Sequence, residues 1–144
     1  MVSIAPNPIT GYFLDSDVFI ANERQRFDLD EFIHSRPLAD YFMSSITAAE
    51  LLLGIEFATP ERRARRQANV DDYIEAFPVL DFDIQCALQW AGIAAPLRAK
   101  GQNIGAHDLL VAAAALRYNH GVITFNSREF SRIPGLVVIT PPRD

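Results

Sequence analysis

Phe13-Leu14-Asp15-Ser16-Asp17-Val18-Phe19-Ile20 sets two carboxylates between two short apolar runs. Tyr12 to Asp15 has the length of a buried strand, and Ser16 or Asp17 can cap a helix that starts through Val18, Phe19 and Ile20. In an open parallel sheet, ligands collect beyond the carboxyl ends of the strands, so an acid at this exit stands where a site is expected. The eight residues alone fit either a nucleophilic Asp or a metal-binding one. Later segments must decide.

Working outward, Phe27, Leu29, Phe32 and Ile33 follow a loose helical pattern that ends before Pro37. Phe42 to Ile46 reads as a second strand, with Ala48 to Phe57 as a helix after it. Thr59-Pro60-Glu61 is a helix start with Thr as cap and Pro in the first turn, and that helix should run to about Phe77, before Pro78. Val79 to Phe82 is a third strand. Asp83 then caps a helix carrying Cys86, Leu88, Ala91, Ala94 and Leu97, which Gly101 ends. Leu109 to Arg117 is apolar nearly all round and predicts a buried helix. Gly121 to Thr124 and Leu136 to Ile139 complete five strands. Short apolar strands alternating with helices of crossover length predict an α/β domain with a mainly parallel five-stranded sheet flanked by helices.

The 144 residues suit one domain, expected over 12–140, with 1–11 as a loose leader and 141–144 as a tail. Hydrophobic residues make up 49% and charged residues 22%, an ordinary globular composition. No apolar run approaches the roughly 18 residues that span a bilayer. Met1 to Pro8 has neither a basic start nor an apolar core of the signal-peptide kind. The lone Cys86 cannot form an internal disulfide, which suits a reducing cytoplasm, and its apolar setting makes it a core side chain. A net charge of −5 argues against a general nucleic-acid coat protein, though not against an enzyme that meets nucleic acid through metal ions and a local patch.

Four polar positions share strand exits or helix starts: Asp15, Glu50, Asp108 and Asn126. Each also has a structural reading. Thr47-Ala48-Ala49-Glu50 is a capping box, Asp108 suits a helix N-cap, Asn126 is a common turn residue, and Asp15 and Asp17 can cap. Taken together they suggest metal chemistry, because carboxylates crowded into one place repel unless a cation is present. Mg²⁺ prefers oxygen ligands, and such a site can activate water against a phosphodiester. One Cys and three His, at 34, 107 and 120, show no zinc spacing. His107 reads as a surface or substrate-contacting residue.

The blocks Phe13 to Ile20, Ser45 to Gly54, Ile104 to Ala113 and Thr124 to Leu136 together resemble the PIN-domain nucleases, most closely the VapC toxins of bacterial toxin–antitoxin pairs. The blocks stand in the family's order and span nearly the whole chain after residue 11. The resemblance implies a Mg²⁺- or Mn²⁺-dependent endoribonuclease, a homodimer in the cytoplasm, with an RNA substrate and a cognate antitoxin whose C-terminal segment occupies the cleft. It further implies that Asp15, Glu50 and Asp108 form the catalytic, metal-holding triad and that Asn126 completes the metal site. Glu129 supports it, and Thr47 and Thr124 are orienting hydroxyls. Asp17 departs from the family's usual Asn and adds a carboxylate beside Asp15. The family commonly places an Asp or Asn where this chain has Asn126 and another acid where it has Glu129; Asn126 can ligate only through a neutral carbonyl.

Two alternatives remain. An apolar strand followed by Asp-x-Asp also resembles haloacid-dehalogenase-type phosphohydrolases, with Asp15 as nucleophile. That chemistry needs a Lys after a later Ser/Thr and then an acidic pair, whereas Lys100, the only lysine, precedes Thr124. The other alternative is an inactive PIN-like binding module, which a missing triad acid would favour; none is missing. Glu61-Arg62-Arg63-Ala64-Arg65-Arg66 is the dense basic stretch. Its arginines should fan around a solvated helix, with Glu61 pairing to Arg65 at i,i+4.

Overall fold

In the computed structural model, which describes residues 8–37 and 39–142, a sheet of order β3-β2-β1-β4-β5 carries a layer of helices on each face. The elements run β1 (Gly11–Leu14), α1 (Ser16–Glu23), α2 (Leu29–His34), β2 (Tyr41–Ser44), α3 (Ser45–Glu56), α4 (Pro60–Ala76), β3 (Val79–Leu80), α5 (Ile84–Ala99), α6 (Ala106–Tyr118), β4 (His120–Ile123), α7 (Ser127–Phe130) and β5 (Val138–Ile139). All four strand pairings are parallel. The expected leader and tail lie partly outside the described residues, at 1–7 and 143–144. The first strand opens at Gly11, inside the stretch expected to be leader.

Strand side chains alternate between the two cores, as a period of two requires. Leu14, Met43 and Ile123 face α1 to α4 with Val18, Phe19, Leu51 and Val70. Phe13 and Val122 face α5 and α6 with Cys86, Leu97 and Val111. Helix α6 is buried along Val111 to Ala115, and its run of alanines lets it lie close against the sheet. Cys86 is a buried free thiol in that core, as expected.

β1 lies between β2 and β4, with Phe13 opposite both Phe42 and Val122. The chain leaves β1 toward β2 and β3, then returns to the other side for β4 and β5. The exits of β1 and β4 therefore flank a topological switch point, where open α/β sheets place their ligands. Two glycines permit this closeness. A Cβ on Gly121 would stand 2.7 Å from the Tyr12 ring and 3.2 Å from the Val137 carbonyl, and one on Gly11 would stand 2.6 Å from the Phe42 ring.

Several local expectations are corrected. β2 is Tyr41–Ser44 rather than Phe42 to Ile46, and Ser44 caps α3 by accepting from the Ile46 N–H. Thr47 and Glu50 therefore lie inside a helix already under way and form no capping box. Of the three residues able to cap α1, Asp15, Ser16 and Asp17, Asp15 takes the position. Gly105 occupies the cap position of α6, so Asp108 lies within the first turn and its side chain is available for other contacts. Thr59 holds the cap position before Pro60 without a side-chain bond. Asp83 caps α5 as expected, through the Cys86 N–H at 2.9 Å, and Gly101 closes that helix at φ +66°.

The basic helix α4 also departs from expectation. Among the described residues no ion pair joins Glu61 to Arg65. Arg63 instead pairs with Glu56 at 2.8 Å, and Arg66 donates to the Gly54 carbonyl at 3.2 Å with its Nε 3.9 Å from Glu23. The arginines do not fan evenly. Arg62, Arg65, Arg66 and Asn69 fall at i, i+3, i+4 and i+7 and share one cleft.

Candidate metal centre at the β1–β4 exits

Asp15 caps α1 and is 3% exposed. Its Oδ1 accepts from the Ser16 N–H at 2.9 Å, and its Oδ2 accepts from the Thr124 hydroxyl at 2.8 Å. Thr124 is fully buried at the end of β4, and its oxygen accepts from the Asn126 N–H at 2.9 Å. That acceptance turns the hydroxyl proton toward the carboxylates of β1. Asp17, one step into α1, places Oδ2 3.2 Å from the same hydroxyl and accepts from the Phe125 N–H at 3.1 Å. The departure at position 17 thus lies within the network and bonds to the backbone of the β4 exit.

The second half of the site comes from α6 and α7. Asn126 Nδ2 donates to Asp108 Oδ2 at 2.8 Å and lies 3.3 Å from Glu129 Oε2. The Gly105 N–H also donates to Glu129 Oε2, at 3.4 Å. Asn126 therefore turns its amide nitrogen toward the acids, bracing two carboxylates at once. Ligation through its carbonyl requires the amide to rotate. Glu50, in α3, keeps Oε2 3.4 Å from His107 Nδ1, while Oε1 is buried with no partner among the described residues. The Thr47 hydroxyl, one turn earlier, is also buried without one.

Electrostatics tie these acids together. Burial pushes the Asp15 carboxyl up to about 7, with further upward pressure from Asp17 and Asp108; the Thr124 and Ser16 hydrogen bonds only partly offset this. Asp108 is pushed up to about 6, first by burial, then by the hydrogen bond and charge of Glu129, with Glu50 adding to it. Glu129 moves the other way, held low by the Gly105 N–H, by Asn126 and by Asp108. The two shifts run in opposite directions, so of the pair Asp108 holds a proton the more tightly.

All eight positions expected from the sequence lie on this sheet edge or on the helices that begin there. Direct bonds link Asp15, Asp17 and Thr124 as one group and Asp108, Asn126 and Glu129 as another; the Asn126 N–H joins the two through Thr124. Glu50 and Thr47 approach from α3. Sequence reading missed two contacts: the approach to Glu50 of His107, read as a surface or substrate-contacting residue, and that of the Gly105 N–H to Glu129. Neither had a local signal, because each partner is far away in the chain. Among the described residues no three His, Cys, Asp or Glu side chains already surround a single point as ligands. The donor set nevertheless fits a hard cation: it consists of oxygens, several carboxylates suppress one another's ionisation, and Glu50 holds a buried oxygen without a partner.

Residues 12–136 match the PIN domain. The chain belongs to the PIN-domain family, among the VapC ribonucleases. It is 33% identical to "Ribonuclease VapC" of Rickettsia bellii over 92% of this chain and 97% of that one. It is 38% identical to the "tRNA(fMet)-specific endonuclease VapC" of Salmonella typhimurium, over 78% of this chain and 79% of the other. Among solved structures, DNA-bound VapBC from Salmonella typhimurium superposes with a TM-score of 0.81 at 31% identity, covering 90% and 97% of the two chains. VapBC2 from Rickettsia felis, bound to a promoter DNA fragment, gives 0.82 at 26%, covering 91% and 98%. This family membership displaces the phosphohydrolase reading. Lys100 is an exposed residue closing α5 and makes no contact with Asp15. No helix among the described residues is long and apolar enough to cross a membrane.

Proposed function

We propose that this chain is a metal-dependent endoribonuclease, the toxin of a toxin–antitoxin pair, acting on RNA in the cytoplasm. Family membership supports the reaction class. The observation that carries the metal requirement is the gathering of acids at one sheet edge, where Asp15 is raised to about 7 by burial first and then by Asp17 and Asp108, and Asp108 to about 6 by burial, Glu129 and Glu50. Such a set is poorly tolerated without a cation and well suited to one.

Asp15, Glu50 and Asp108 would hold Mg²⁺ or Mn²⁺. A bound divalent ion supplies a Lewis acid for the phosphodiester and lowers the pKa of attacking water. The chain's own contributions are positional. The Ser16 N–H and Thr124 hydroxyl fix both oxygens of Asp15, and the Asn126 amide fixes Oδ2 of Asp108. Glu129, braced by the Gly105 N–H and the Asn126 amide, stays ionised beside Asp108. Asp17 adds negative charge at the rim and holds the β4 exit through Phe125. His107, exposed beside Glu50, would meet substrate on this reading.

Protein partners fit the surface. Leu52, Leu53 and Phe57 on or just beyond α3, with Ile84 and Leu88 on α5, are exposed apolar side chains of the kind that a second copy or an antitoxin covers. Titrating Mg²⁺ or Mn²⁺ into an RNA cleavage assay, with Asp108→Asn as control, tests the assignment. Cleavage that persists in EDTA and equally in the variant defeats it. Mapping RNA ends after brief induction in cells, against Asp15→Ala, identifies the substrate.

A further inference from the structure

The positive charge of α4 is not absorbed by the site above. Arg62, Arg65 and Arg66, with Asn69 one turn on, face the C-terminal end of α1 across an open cleft of about 430 Å³, closed on the other side by Arg24 and Glu23. No apolar side chain lines it. A groove for a peptide offers apolar anchors; a pocket for phosphate needs only donors.

The local carboxylate does not neutralise the cleft. Glu23 is largely buried and lies 3.9 Å from Arg66, whose guanidinium is also held by the Gly54 carbonyl at 3.2 Å. Arg66 is thereby fixed in orientation. Arg62 and Arg65 are exposed and make no ion pair among the described residues, so their forks are free to bind an anion. Arginine suits phosphate because its planar fork makes two parallel bonds. A chain of net charge −5 with an acidic centre repels a polyanion generally, so RNA that binds it requires a compensating local patch.

Placement favours the same ligand. Helix α1 begins at its cap Asp15 and ends at Arg24, which puts the two ends about 14 Å apart. A single RNA strand with its scissile phosphate at the acids reaches the arginine cleft with a phosphate a few nucleotides away. We infer that the cleft between α4 and the end of α1 is a phosphate-binding subsite that grips the RNA backbone away from the cut. This rests on the ribonuclease reading and assigns the basic stretch to substrate rather than to the antitoxin.

The test uses the full chain with Asp108→Asn to prevent turnover and a fluorescein-labelled twelve-nucleotide oligouridine as probe, with affinity measured against KCl concentration. For single strands the log–log salt slope changes by about 0.7 per phosphate contact. Arg62→Gln with Arg65→Gln is expected to flatten the slope by about 1.4 and weaken binding severalfold. Arg62→Lys with Arg65→Lys should restore most of the slope. Arg63→Gln, which removes a guanidinium already paired to Glu56, should leave it unchanged. An unchanged slope in the double Gln variant overturns the subsite, and if antitoxin capture then falls, the cleft belongs to an acidic protein. Wild-type cleavage of bulk transfer RNA in Mg²⁺ separates the levels. Cleavage with an unchanged slope sinks only the subsite, whereas neither cleavage nor salt-dependent binding sinks the ribonuclease reading with it.

Discussion

Thr124 Oγ1 donates to Asp15 Oδ2 at 2.8 Å, joining the exits of β4 and β1 through two buried side chains. The same hydroxyl accepts from the Asn126 N–H and stands 3.2 Å from Asp17. It is the point through which the two halves of the site communicate.

Thr124→Val keeps the shape and removes this donor. Isothermal titration with Mn²⁺ should show metal affinity reduced roughly 10–100-fold, the usual effect of losing a group that orients a ligand, and cleavage should fall in parallel. Thr124→Ser should recover most of both. Equal affinity in wild type and the Val variant would show that Asp15 needs no orienting partner.

Replacing Asp108 by Asn, or adding EDTA, should reduce RNA cleavage by at least about 100-fold, since loss of a ligand exceeds loss of an orienting group. Gel-based cleavage rates measure this directly, and the helical circular dichroism of the variant should remain that of wild type.

Stability should respond to pH in a defined direction. Asp15 and Asp108 titrate above an ordinary carboxyl, at about 7 and about 6. Between their unfolded value of 3.8 and those pH values the folded state binds more protons than the unfolded one. Their contribution to stability is thus complete below about 4 and lost as pH rises through 6 and 7. His120, pushed down by burial, acts oppositely and loses stability as pH falls below its ordinary 6.5. In EDTA, Asp15→Asn should flatten the decline in melting temperature between pH 5 and pH 8. Mg²⁺ should raise the melting temperature more at pH 8 than at pH 5, and a metal increment independent of pH would contradict the crowding of acids.

Gly121→Ala places a methyl 2.7 Å from the Tyr12 ring beside a backbone carbonyl at 3.2 Å. Urea unfolding should show a loss of about 1–3 kcal/mol with the m-value unchanged. A neutral result would mean that β1 and β4 separate at little cost.

The strands and the acids at their exits were legible because apolar runs ending in Asp or Thr carry both signals in a few adjacent residues. Asp15 and Thr124 stand where those runs predict. Helix starts were less legible: Ser44, Ser45 and Thr47 can all cap, and the choice of Ser44 depends on where β2 ends against β1. The arginines of α4 show the same limit. Local spacing suggested Glu61 with Arg65, but Arg63 and Arg66 turn to Glu56 and Glu23 on neighbouring helices. The approach of His107 to Glu50 likewise depends on how α6 sits beside α3.

The interleaved strand order has a consequence for synthesis. β1 is made well before β4, yet the Thr124 hydroxyl and Phe125 N–H that hold the acids at its exit arrive only with the end of β4 and the segment after it. A growing chain that has not emerged past Asn126 and Glu129 cannot assemble the acid cluster, whatever else has folded. On the proposed reading the nuclease is thus unarmed until the segment after β4 has been translated, and products truncated before it inherit that harmlessness.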